Sequence, residues 1–79
     1  MSGGVETVKA FITSEAKQAD ARCQEAEKRI TTAARKVASD PTNTRAARAL
    51  LKAQEERAEC MKVACTLYAL LGSINWNEL

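Results

Sequence analysis

The side chains of this chain best suited to chemistry are its three cysteines, at positions 23, 60 and 65; it has no histidine. No Cys-x-x-Cys pair occurs among them, so the spacing that structural zinc demands is missing. The remaining polar candidates are carboxylates: Glu15, Asp20, Glu25, Glu27, Glu55, Glu56 and Glu59. Each lies in a charged stretch beside Lys or Arg. Glu25 with Arg29, and Glu59 with Lys62, are spaced for ion pairs along one helix face. A general base, an activated nucleophile or a phosphate-cradling glycine loop would each need residues that this pattern does not supply. The expectation is a chain without catalysis, metal or cofactor. The cysteines are then small apolar fillers, reduced in a cytosolic setting. Cys23 and Cys60 can be neighbours, and a disulfide between them is the minority reading.

Behind these side chains stand two long stretches free of glycine and proline, Val5 to Ala38 and Arg45 to Leu71. Both are rich in Ala, Glu, Lys, Arg, Gln and Leu, which lose little rotamer freedom in a helix. The breaker Ser39-Asp40-Pro41-Thr42-Asn43-Thr44 separates them. Pro41 drives Asp40 out of the helical region, and Thr42, Asn43 or Thr44 supplies the cap of the second helix. Gly72 is placed to close that helix in a left-handed conformation. Apolar or small residues fall at Val5, Val8, Ile12, Ala16, Ala19, Cys23, Ala26, Ile30, Ala33 and Val37, in steps of three or four. This is a heptad seam, and no strand alternation competes with it.

The short turn predicts an all-α fold, an antiparallel two-helix hairpin of coiled-coil type. Residues 5–72 form the hairpin, with its turn about 39–44. Residues 1–4 read as a flexible start, without the charged and apolar regions of a secretory leader, and residues 73–79 as a C-terminal tail. Facing positions should have numbers summing to 83 or 84. Val37 then lies near Ala46 and Ala47, Ala33 near Leu50 and Leu51, and Ala26 near Arg57 and Ala58. Cys23 comes against Cys60 and Met61, while Ala16 and Ala19 meet Ala64, Leu67 and Tyr68. A chain of 79 residues builds a core that rarely supplies more than about 3–5 kcal/mol. Oligomerisation is an expected way to complete it.

Net charge is +2, from 12 basic and 10 acidic residues well mixed along the chain. That balance does not mark a nucleic-acid binder. No apolar run reaches the ~20 residues of a membrane span, and the expected location is cytoplasmic. The anomaly is the stretch Cys60 to Leu71, apolar on nearly every side, where one partner helix covers only a single stripe. All three aromatics, Phe11, Tyr68 and Trp76, fall at this end, far from the turn. Phe11, Met61, Val63, Leu67, Tyr68, Leu70, Leu71 and Trp76 are therefore the candidate partner-binding residues. The competing expectation is that residues 73–79 fold back over them. The opposite tip is basic, with Arg35, Lys36, Arg45, Arg48 and Lys52, but carries no aromatic to stack on bases.

The turn segment Lys36-Val37-Ala38-Ser39-Asp40-Pro41-Thr42-Asn43-Thr44 resembles that of type III secretion needle subunits, two-helix chains of similar length. Thr44 stands where that family has a second proline, three cysteines are unusual for it, and the end from Leu71 to Leu79 does not match. Val5-Glu6-Thr7-Val8-Lys9 and the stretch from Ala58 to Leu71 look similar to the two ends of the small helical-hairpin cochaperone that holds needle subunits in the bacterial cytosol. These resemblances imply a protein-binding chain whose partner is another helical protein or a second copy of itself. Three readings follow in order: an interaction module such as a secretion cochaperone, a self-assembling needle, filament or bundle subunit, and nucleic-acid binding through the basic tip.

Overall fold

The computed structural model describes residues 2–79. Helix α1 spans Ser2–Ser39, helix α2 spans Thr44–Ser73, and a short 3-10 turn, η1, covers Trp76–Glu78. The two long helices lie antiparallel and form a rod of 60 × 16 × 12 Å. α1 begins at Ser2, three residues before the expected Val5, so residues 2–4 are helical rather than an irregular lead-in. The Thr7 hydroxyl donates to the Gly3 carbonyl at 2.8 Å, tying the first turns together. Met1, also part of that expected start, lies outside the described residues.

The connection is closed by its own side chains. The Asp40 carboxylate accepts from the Thr42 amide at 3.2 Å and the Thr42 hydroxyl at 2.7 Å, while the Asn43 amide donates to the Asp40 carbonyl at 3.0 Å. Pro41 sits second in this four-residue turn, where its fixed φ costs nothing. Among the three capping candidates Asn43 takes the role, its side-chain oxygen accepting from the Ala46 amide at 3.0 Å. Gly72 does not adopt the expected left-handed conformation. α2 continues through it to Ser73 and ends at Ile74, which leaves the helix in extended geometry while its amide still donates to the Leu70 carbonyl. The terminator is thus a β-branched residue turning out of register, and a glycine's freedom is not required.

Two regular seams meet between the helices. On α1 the buried or half-buried series runs Ile12, Ala16, Ala19, Cys23, Ala26, Ile30, Ala33, Val37; on α2 and its two capping residues it runs Asn43, Ala46, Leu50, Ala53, Arg57, Cys60, Ala64, Leu67, Leu71, Ile74. Both alternate strictly in steps of three and four. Val8, expected on the α1 seam, is exposed, because the strict pattern runs from Ile12 and its upstream continuation falls beside Val8, not on it. Of each expected α2 pair, one member faces α1: Leu50 and not Leu51, Cys60 and not Met61, Leu67 and not Tyr68. Two cross-helix ion pairs lock the register, Arg29 with Glu56 and Arg57 with Glu27, both at 3.1 Å. Their numbers add to 85 and 84, one step or less from the expectation. Arg29 therefore reaches across the hairpin and not to Glu25, which instead meets Lys28 at 3.4 Å; Glu59 and Lys62 form no ion pair among the described residues.

The fully buried positions are occupied by seven alanines and Cys23, and among the described residues no large side chain is completely enclosed. Small residues let the helix backbones approach closely, but they contribute little apolar area per residue.

Candidate protein-binding surface

Seven residues are two turns of helix, so positions seven apart share a side. This divides the expected apolar patch into three parts. Leu67 and Leu71 belong to the seam and are half-buried against α1. Met61 and Tyr68 are a heptad apart and flank the seam on one side, 40% and 47% exposed. Val63 and Leu70, another heptad pair, flank it on the other side, 42% and 40% exposed. They extend the file that holds Glu56, whose ion pair with Arg29 fixes which side of the rod this is. On α1 the file of Arg29 leads through Arg22 and Glu15 to Val8, and that of Glu25 leads to Phe11, which is 64% exposed. Phe11, Val8, Val63 and Leu70 thus lie on one side near the open end. The eight residues read from the sequence do not form one continuous patch: the seam runs between its halves.

The tail partly folds back. The Trp76 indole N–H donates to the Leu71 carbonyl at 3.1 Å, and Trp76 and Ile74 are half-buried. Trp76 is spent on closing the end of α2, and the flanks keep their exposed side chains. Leu79 is also exposed.

Toward the turn, the side that carries Val63 and Leu70 becomes a groove of about 520 Å³. Its floor is Ala33, Ala46, Ala49 and Ala53, and its walls include Arg29, Lys36, Lys52 and Glu56. The groove exists because Ala46, Ala49 and Ala53 on α2, with Ala33 on α1, leave the space that larger side chains fill elsewhere. Three of the basic-tip residues, Lys36, Arg45 and Lys52, line it, while Arg35 and Arg48 stand exposed outside it. The charges are legible in the sequence and the groove is not; alanines at 46, 49 and 53 beside a basic cluster are its only signal. Leu51, exposed on the outer surface of α2, was also missed, and a lone exposed leucine carries no message.

All three cysteines are free. Cys23 is buried on the seam, and its thiol is pushed above its ordinary value, first by burial and then by Cys60, Asp20 and Glu27, with Arg57 opposing. Cys60 is half-buried and Cys65 exposed. No group of His, Cys, Asp and Glu among the described residues is arranged to hold a metal ion. Among the described residues no helix is long and apolar enough to cross a membrane. Compared with known proteins, the chain matches no protein-family model, no curated protein and no solved structure.

Proposed function

We propose that this chain is a non-catalytic protein-interaction module that works in the cytoplasm and docks a helical segment of another protein against its open end. The observation that carries this reading is the inversion of burial there. Phe11, Met61, Val63, Tyr68 and Leu70 are 40–64% exposed while the interior is built from alanine and one cysteine. They form two exposed apolar clusters, one on each flank of the seam; exposed apolar clusters with charged surroundings are the usual mark of docking surfaces, and aromatic and aliphatic anchors dominate such interfaces. A small assembly factor of a protein-secretion apparatus is the form of this function that the resemblance to hairpin cochaperones favours. The thin core favours a second form, a subunit that assembles with itself.

Affinity capture from the chain's own cells tests the module. The wild-type chain should retain a defined partner, and Met61→Asp or Tyr68→Asp should lose it with helical circular dichroism unchanged. Undiminished capture by both variants, or loss of helix in both, overturns the assignment of this surface.

A further inference from the structure

We propose that the grooved side of the hairpin seats a second copy of this chain, inverted end for end, so that the exposed apolar side chains of each copy fill the alanine-floored groove of the other. The inference rests on the reading of the open end as a docking surface and names the occupant of one of its two flanks.

Three observations converge. The first is shape. One side of one rod presents large exposed side chains at its open end, Phe11, Val63 and Leu70, and a groove floored by Ala33, Ala46, Ala49 and Ala53 at its turn end. Large against small is the pairing that close packing requires, and a twofold axis brings both halves into use at once.

The second is register. At 1.5 Å per residue, Leu70 lies about 42 Å from the bend and Phe11 about 46 Å. A twofold axis crossing the rod near its midpoint, about 28 Å from the bend, carries Leu70 to the level of Ala33, within one helical turn of Ala49 and Ala53. It carries Phe11 to the level of Ala49 and Lys36, where the lysine stem and ammonium can cover the ring. The same operation sets Glu15 level with Lys52 of the second copy, and Glu59 level with Arg22. Of the charges on this side, Glu15 and Arg22 lie in the open half, and the groove half bears Arg29, Lys36, Arg45 and Lys52 together with Glu25, Glu56 and Glu59. The two pairs brought level, Glu15 with Lys52 and Glu59 with Arg22, are thus of opposite sign.

The third is area. The chain exposes 5982 Å², where a compact monomer of its mass would expose about 4,700 Å². The excess of about 1,300 Å² exceeds the ~800 Å² that each partner commits to an interface of standard size. The product is an antiparallel four-helix bundle, which gives the alanine seams a second layer.

Sedimentation velocity of the full chain over a micromolar range tests this. A dimer of twice the 8.6 kDa chain mass is expected. Glu15→Lys and Lys52→Glu should each raise its dissociation constant about tenfold or more, and the two together should restore it. Lys52 is exposed and Glu15 half-buried, and unchanged helical circular dichroism confirms that the variants fold. Tyr68→Asp, on the other flank, should leave the dimer intact. A chain that stays monomeric at several hundred micromolar overturns the proposal. A dimer indifferent to the charge exchange, or open-ended polymers, overturns it equally. The two readings fail separately: partner capture by a strictly monomeric chain leaves the module standing without self-docking, and a charge-exchanged dimer that captures nothing leaves the self-docking without the module.

Discussion

Cys23 has the environment to set it apart from its two companions. It is buried on the seam and its thiol is raised by desolvation and by the acidic neighbours Asp20 and Glu27, whereas Cys65 faces solvent. Exposure sets the order in which a thiol reagent near pH 8 reaches them, Cys65 first, Cys60 next and Cys23 only as the hairpin opens. A thiol raised in the folded chain favours folding below its unfolded value near 9.0, and that contribution disappears as pH rises through the folded value. Chemical denaturation should therefore show stability falling above pH 9, and Cys23→Ala should flatten the fall. Asn43 is the other decisive single residue. Its side chain holds the Ala46 amide at the start of α2, and Asn43→Ala should cost about 1 kcal/mol in urea unfolding.

At the scale of the helix, the alanine seams set how near the two rods come. Ala26 is fully enclosed, and a leucine there must push α1 and α2 apart. Ala26→Leu should lower stability by about 1–3 kcal/mol, read from a shifted urea midpoint. The Arg29–Glu56 pair, with side chains 59% and 36% exposed, fixes register more than it stabilises; a double-mutant cycle should return under about 1 kcal/mol. The hairpin and its seam were legible in the sequence because both depend on local signals: a Pro-containing turn and apolar steps of three and four. The split of the apolar end into two flanks was not. Val63 and Tyr68 look alike in a one-dimensional list, and only the partner helix decides which side each takes. Gly72 was misjudged for a related reason, since a glycine near a helix end signals a stop only when the chain must reverse there, and α2 runs on to Ser73.

For the whole molecule, a rod 60 Å long and 12 Å thin has little interior to lose. Its stability should then depend on what covers its sides. If the groove is occupied by a second copy, the thermal midpoint will climb with protein concentration, as for any state stabilised by mass action; calorimetry across a hundredfold dilution, a range wide enough for that effect, reads this directly. Leu70→Asp should remove the concentration dependence while leaving the midpoint of the dilute chain nearly in place.

The turn that begins at Asp40 has a kinetic consequence. Its hydrogen bonds span no more than a few residues, so it forms at small entropic cost, and each seam layer then closes a slightly longer loop than the one before. The hairpin should zip from the bend outward and fray from the opposite tip inward. Amide exchange would be slowest around Ala33 and Ala46 and quickest beside Ile12 and Leu71. The end that offers its apolar side chains is thus also the end held least firmly, and a bound chain there would act as the last tooth of the zip.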